Sequence, residues 1–190
     1  MDLGLAVQEW FSNSRYRVLK ELLRHNLHLN GDDMMLDIGG GTGVLAGYFS
    51  NICKEIWVLD SETKKLRFGR KRRNNVSFIC ASAYPIPFVN GSFSKIMIVV
   101  SFHHFADQDM VLQEIKRVLK PDGLLGIVEF DLTTIRGKVV NFVENKLGKK
   151  NCKFYTPTEL KEKVKVLDYG EINVVKIPAA YLLTAVNTTN

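Results

Sequence analysis

The sequence predicts an α/β fold built on a mostly parallel sheet, and three observations carry that prediction. Apolar runs of strand length alternate with stretches of helix length from about residue 34 to residue 130. The first of these runs breaks into Gly39-Gly40-Gly41-Thr42-Gly43, where a strand must turn tightly into a helix. Polar residues recur where the successive strands end, at Asp37, Asp60, Ser82 and Ser101. In a parallel sheet ligands bind outside the carboxyl ends of the strands, so these four segments converge on one rim.

Ahead of the first strand, Trp10, Phe11, Val18, Leu19, Leu22 and Leu23 fall at helical spacing and predict one or two helices over about residues 5–26. Tyr16 lies in this region as a core aromatic or a pocket wall, and His25 and His28 are expected to face solvent. Gly31-Asp32-Asp33 reads as a turn. Strands are expected at 34–38, 55–59, 76–80, 95–100 and 124–130, the last read as apolar throughout and buried on both faces. Helices are expected at 44–51, 62–72 and 110–119. Val111, Ile115, Val118 and Leu119 share a face of the third, which Pro121-Asp122-Gly123 stops. Residues 131–155 are mixed and basic, with a helix at 139–147. Thr156-Pro157-Thr158-Glu159 predicts a capped helix start, with Thr156 as N-cap and Glu159 completing the box. Two further strands, 171–177 and 181–186, flank Pro178.

At 190 residues, 46% hydrophobic and 24% charged, the chain reads as one ordinary globular domain, with only the polar tail 187–190 outside it. No apolar run approaches the roughly 20 residues of a membrane span. The start of the chain lacks a basic-then-apolar signal pattern, so a cytoplasmic location is expected. Cys53, Cys80 and Cys152 have no metal-like spacing, so they read as buried free thiols and no metal site is expected. The net charge of +6 is concentrated: Lys64, Lys65, Arg67, Arg70, Lys71, Arg72 and Arg73 fall within ten residues. They read first as a solvated helix face. A polyanion surface for nucleic acid or anionic lipid is the less favoured reading. A second loose basic set is Lys146, Lys149, Lys150 and Lys153.

The amides of a glycine turn at a helix N-terminus suit a cofactor. Gly41, Gly43 and Ala46 fit the dinucleotide fingerprint in its alanine form. Asp37, however, would repel a pyrophosphate and suits a ligand carrying an amino group or positive charge. Asp60 is placed to take both hydroxyls of a ribose.

Beyond these features the chain resembles the class I S-adenosylmethionine-dependent methyltransferases. Within them it is most similar to the ubiquinone/menaquinone-biosynthesis (methyltransferase type 11) subfamily. Asp37-x-Gly39-x-Gly41-x-Gly43 matches the first motif, and Asp60 the ribose-binding acid. Pro85-Ile86-Pro87-Phe88 with Gly91-Ser92-Phe93 matches the segment before the fourth strand. Ser101-Phe102-His103-His104-Phe105 matches the stretch after it. Glu114-Ile-Lys-Arg-Val-Leu-Lys-Pro-Asp-Gly123 matches a helix end.

The resemblance implies a Rossmann-like, mostly parallel seven-stranded sheet closed by a C-terminal antiparallel pair. It implies a helical cap over 1–30, a substrate-covering insert at 131–155 and S-adenosyl-L-methionine as cofactor. The implied cofactor contacts are Asp37, Gly39, Gly41, Gly43, Asp60, Ser61, Ser82, Ala83 and Ser101. His103 and His104 are implied catalytic residues, and the implied acceptor is a small molecule with an O, N or activated C nucleophile. Two positions depart from the family pattern. Ser82 stands where an acid usually takes the adenine amino group, so the bond there lacks charge assistance. Ser94 stands where a structural acid is usual. The Asn/Asp-Pro-Pro-Tyr/Phe motif and the Pro-Cys nucleophile of nucleic-acid methyltransferases are both missing. The competing readings are a non-catalytic cofactor-binding module or partner-dependent subunit, a nicotinamide oxidoreductase, and an RNA methyltransferase using the basic helix.

Overall fold

A computed structural model of the chain describes residues 14–147 and 152–189. Trp10, Phe11, Lys149, Lys150 and the side chains of Tyr16 and Lys146 lie outside the described residues. Helix α1 (Ser14–Asn26) puts Leu19, Leu23 and then Leu27 against the sheet at four-residue intervals, while His25 and His28 face solvent. There follow β1 (Met34–Ile38), α2 (Val44–Phe49), β2 (Glu55–Asp60), α3 (Thr63–Arg70), β3 (Ser77–Cys80) and β4 (Phe93–Val99). A single 3-10 turn (Phe102–His104) leads to α4 (Gln108–Val118) and β5 (Leu119–Phe130). Helix α5 (Ile135–Phe142), continued by a wider turn at Val143–Leu147, precedes α6 (Pro157–Val166), β6 (Tyr169–Ile177) and β7 (Ala180–Asn187).

The seven strands form one sheet in the order β3-β2-β1-β4-β5-β7-β6. Strands β1 to β5 are parallel, and β7 runs antiparallel to both β5 and β6. Two-residue periodicity splits the core between the two faces. Leu36, Ile38, Ile96, Ile98, Leu125 and Ile127 pack with α4 (Val111, Ile115) and α6 (Leu160, Val164). Met35, Ile56, Val58, Met97 and Val128 pack with α1, α2 (Leu45, Phe49) and α3 (Leu66). Each such side chain contributes about 1.5–3 kcal/mol by leaving water. The order of strands reverses between β1 and β4, which places a crevice at their carboxyl ends.

Several boundaries differ from the sequence reading for definable reasons. Helix α4 ends at Val118 because Leu119 is already extended (φ −81°, ψ 133°) and pairs with Phe93. Pro121 disfavours helix at Lys120, so the chain enters β5 five residues early, with Asp122 left-handed at φ 59°. β5 is also not apolar throughout, since it buries Glu129. Helix α5 starts at Ile135 rather than 139 because Thr134 caps it, its Oγ1 accepting from Gly137 N at 3.0 Å. The capping box at Thr156 and Glu159 forms as expected.

Two of the matched motifs prove to be latches. Arg117 donates to the carbonyls of Ile86 (2.9 Å) and Phe88 (2.8 Å), to Asn90 Oδ1 (3.0 Å) and to both oxygens of Glu114 (2.8 Å each). Glu114 in turn accepts from Ile86 N at 2.8 Å. The Glu114/Arg117 pair thus clamps the Ile86-Pro87-Phe88 segment to α4. Ser94 Oγ donates to Asp33 Oδ1 at 2.7 Å and accepts from Met34 N at 3.1 Å, so a hydroxyl anchors the start of β1.

Much of the basic cluster is committed to the fold. Lys65 pairs with Glu62, Arg70 donates to Phe78 O (2.6 Å) and Arg73 to Thr42 O (2.8 Å), while the Arg72 guanidinium lies 3.6 Å from the Phe68 ring centroid. Arg70 and Arg73 brace the glycine turn and its neighbouring strand, which weakens the polyanion reading. No helix among the described residues is long and apolar enough to cross a membrane.

Candidate active site

The glycine turn is shaped by backbone conformation that side chains resist. Gly39, Gly41 and Gly43 all take positive φ (72°, 57° and 68°). A Cβ on Gly39 would sit 2.6 Å from Ser101 Oγ, and one on Gly40 would overlap the Asp37 carboxylate. Gly39 N donates to Leu59 O at 2.7 Å and Gly43 N to Gly40 O at 2.9 Å, which closes the turn and ties it to β2. The loop therefore lies directly over Asp37 and beside Ser101.

Asp60 ends β2 and faces this loop. Its Oδ2 accepts from Gly41 N at 2.9 Å and its Oδ1 from Glu62 N at 2.8 Å. Each oxygen takes one amide, and a carboxylate has about four acceptor sites, so capacity for two hydroxyls remains. Asp37 is fully buried at the end of β1. Burial, and then the charge of Asp60, push its carboxyl up to about 8. A ligand cation would reverse that penalty.

Ser101 is buried and donates to Ile38 O at 3.1 Å, so it fastens the end of β4 to the end of β1. The residue before it, Val100, is left-handed at φ 51° while its N–H still bonds Val128 O at 2.9 Å. β4 therefore ends at Val99, one residue earlier than the sequence reading placed it. A β-branched residue in that region costs on the order of 1–3 kcal/mol. Nothing in the composition of Val99-Val100 signals this turn.

Of the remaining expected contacts, Ser61 and Ser82 are exposed and Ala83 is buried in the core. Ser82 Oγ accepts from Tyr84 N at 3.2 Å, so its hydroxyl is already turned toward its own loop. Cys80 is exposed at the end of β3 and Cys152 is half-buried, which corrects the expectation of three buried thiols; only Cys53 is buried.

His103 and His104 differ sharply in environment. His103 is buried, its Nδ1 lies 2.7 and 3.0 Å from the two oxygens of Glu129, and its ring stacks on Phe154 at 4.1 Å and 16°. Burial pushes the Glu129 carboxyl up, and His103 offsets part of that. His104 is exposed, and its Nδ1 lies 3.3 Å from Cys152 Sγ. No Cys or His pair shows ligand spacing in the sequence, yet one ligand atom from each of His103, His104 and Cys152 falls within 4.8 Å of the others. Sequence reasoning missed Glu129, whose only signal is an acid inside an apolar strand. It also missed Gln108, whose Nε2 donates to Phe102 O (2.9 Å) and Lys153 O (2.8 Å). A depression of about 610 Å³ near Asn90, Lys116, Leu167 and Asn187 lies at the start of β5, the opposite end of the sheet from this site.

The comparisons with known proteins agree with this geometry. A family model described as a methyltransferase domain matches residues 36–127. The ubiquinone/menaquinone biosynthesis C-methyltransferase UbiE of Neisseria gonorrhoeae is 35% identical over 122 residues, covering 60% of this chain and 50% of that protein. The demethylmenaquinone methyltransferase of Thermotoga maritima is 34% identical over 133 residues, covering 67% of this chain and 56% of that protein. The chain thus spans about half the length of the curated relatives it matches. Among solved structures, a SAM-dependent methyltransferase of Thermotoga maritima superposes with TM-score 0.80 at 20% identity, covering 97% of this chain and 95% of the other. One from Aquifex aeolicus superposes with TM-score 0.77 at 18% identity, covering 95% and 96%. These establish the Rossmann-like fold with its antiparallel C-terminal pair.

Proposed function

We propose a methyl-transfer function for this chain, which belongs to the class I S-adenosylmethionine-dependent methyltransferases of the methyltransferase type 11 group. S-adenosyl-L-methionine is the donor and a small molecule the acceptor. One observation carries the reading: Asp60 is held against the Gly41 amide at the mouth of the glycine turn, with buried Asp37 beneath it. That arrangement suits a ribose on one carboxylate and a cationic methionine portion near the other. It does not suit a pyrophosphate. Ser101 and the glycine backbone form the floor, and exposed Ser61 and Ser82, with Ala83 buried behind them, mark the adenine side.

Methyl transfer from a sulfonium needs orientation and exclusion of water more than acid–base help, because the leaving group departs neutral. The chain's residues would supply this by fixing the donor against β1 and β2 and closing the far side. His103 and His104 lie on the acceptor's side of the site. Of the expected cap (1–30) and acceptor cover (131–155), the described parts are 14–30, 131–147 and 152–155, and these take those roles. The test is isothermal titration with S-adenosylhomocysteine, with NAD as the control ligand. Micromolar binding of the first and none of the second is expected. Binding of NAD alone would point to an oxidoreductase, and binding of neither would end the proposal.

Asp37 gives the binding a pH signature. Its folded-state value near 8 lies above the reference 3.8, so the ligand-free protein holds a proton there that the unfolded chain releases. Its contribution to stability therefore falls as pH rises from about 4 to about 8. A cationic donor binds the ionised form, so binding below pH 8 expels that proton. The affinity for S-adenosylmethionine should rise by up to about tenfold per pH unit between pH 6 and 8 and then level. Asp37→Asn should flatten the profile.

The acceptor cover exposes apolar side chains, Ile135 at 82% and Val139 at 56%, one helical turn apart on α5. They suit an apolar acceptor such as the quinone-ring compounds for which the relatives are named. Ile135→Asp and Val139→Asp are each expected to raise the KM for such an acceptor roughly fivefold or more, with stability unchanged within about 0.5 kcal/mol. An unchanged KM in steady-state assays would remove α5 from the acceptor site.

A further inference from the structure

We infer that His103, His104 and Cys152 form a binding site for a thiophilic divalent ion of the zinc class. One ligand atom from each lies within 4.8 Å of the others, close enough for a single ion to bridge with small side-chain rotations. The set is two imidazoles and a thiol, which suits zinc and leaves a fourth tetrahedral position for a further ligand.

The surroundings are those of a built site. Glu129 takes Nδ1 of His103 at 2.7 Å, which leaves Nε2 as the lone-pair nitrogen and fixes the ring, as carboxylates do behind metal-bound histidines. Phe154 stacks on the same ring. Cys152 is held by both of its backbone groups: its N–H donates to Asn145 Oδ1 at 2.7 Å, and its carbonyl accepts from Asn145 Nδ2 at 3.2 Å. Lys153 N donates to His103 O at 3.1 Å, and Gln108 bridges the Phe102 and Lys153 carbonyls. Two segments some fifty residues apart are thus stitched together on either side of the ligand atoms. Such support is what a site needs to hold its geometry.

Binding forms the metal–sulfur bond as the Cys152 thiol proton leaves to solvent. The cluster follows Ser101, which abuts Gly39 of the glycine turn, so a bound ion's fourth position is open to an oxygen or sulfur of an acceptor held there. That use rests on the methyl-transfer reading; the site itself stands on geometry alone.

The test uses the full chain, stripped with chelator and titrated with Co2+, then with Zn2+ in competition. One equivalent of Co2+ should give tetrahedral d–d absorption and a thiolate-to-cobalt charge-transfer band. Cys152→Ser should abolish that band and weaken Zn2+ binding at least about tenfold, and Glu129→Gln should weaken it about 10- to 100-fold. His104→Gln, at an exposed position, provides a second ligand variant with little risk to folding and should also weaken Zn2+ binding. Cys80→Ser should change nothing. Absence of the band, or its persistence in Cys152→Ser, overturns the inference. S-adenosylhomocysteine titrations on the same samples separate the two claims. Nucleoside binding without the cobalt band overturns the metal site alone, and the band without nucleoside binding overturns the methyl-transfer reading alone.

Discussion

Asp60→Ala is expected to cut the affinity for S-adenosylhomocysteine by roughly 30- to 150-fold. On the proposed reading this carboxylate takes both ribose hydroxyls, and charge-assisted bonds of this kind contribute about 2–3 kcal/mol. The loss has a second source. Asp60 also accepts from Gly41 N and Glu62 N, so its removal frees the glycine turn at one end and the approach to α3 at the other. Asp60→Asn separates the two contributions, since its amide oxygen still accepts from a backbone N–H but carries no charge. It should retain most of the thermal stability and lose most of the affinity. Asp60→Ala should also shift the Asp37 pH profile toward lower pH, because a neighbouring like charge is gone. Calorimetric titration that finds both variants within twofold of the parent would remove Asp60 from the ribose.

The largest expected effect on stability is at Arg117. Its guanidinium makes five hydrogen bonds that span α4 and the segment from Ile86 to Asn90. Arg117→Ala leaves the Ile86 and Phe88 carbonyls and the Glu114 carboxylate without that donor. A fully buried pair broken this way costs about 3–5 kcal/mol. Here the Arg117 side chain is 32% exposed, so water replaces part of the loss and about 2–3 kcal/mol is expected. For a chain of this size that is a fall in Tm of roughly 4–12 °C. Arg117→Lys should recover little, because a point charge cannot reproduce the planar fork. The pair also carries a pH dependence. Hydrogen bonds from Arg117 hold the Glu114 carboxyl below its usual value, so its contribution is complete above about pH 4.5 and is lost as pH falls through the folded value. Chemical denaturation of parent and variant, compared at pH 7 and in mild acid, reads both effects. A variant as stable as the parent would show that the Ile86-Pro87-Phe88 segment holds its place by apolar packing alone.

The layered fold was legible because its signals are local and periodic. The Met34–Ile38 and Ile96–Val99 runs have the length and turn-bounded apolar character of strands, and Thr156-Pro157-Thr158-Glu159 writes its own helix start. The glycine turn was legible because its three left-handed positions are all glycine, and Asp37 and Asp60 because each acid closes an apolar run. What was hidden depends on residues distant in the chain. The left-handed turn at Val100 follows from pairing with Val128, and no glycine marks it. The basic run read first as a solvated helix face, and nothing local shows that Arg70 and Arg73 bind carbonyls of β3 and the glycine turn.

The amino-acid sequence by itself determined the parallel sheet, the glycine turn and the two acids at neighbouring strand ends, because spacing and residue type suffice to place groups there. Only the tertiary structure decided that Glu129 lies behind His103 and that Cys152 meets His104. Cys152 reaches that position through the Asn145 clamp and the Gln108 bridge, contacts that close only once α4, β5 and the 152–155 segment have packed together. Side-chain convergence of this kind is set by packing across the chain, and local sequence pattern carries no trace of it.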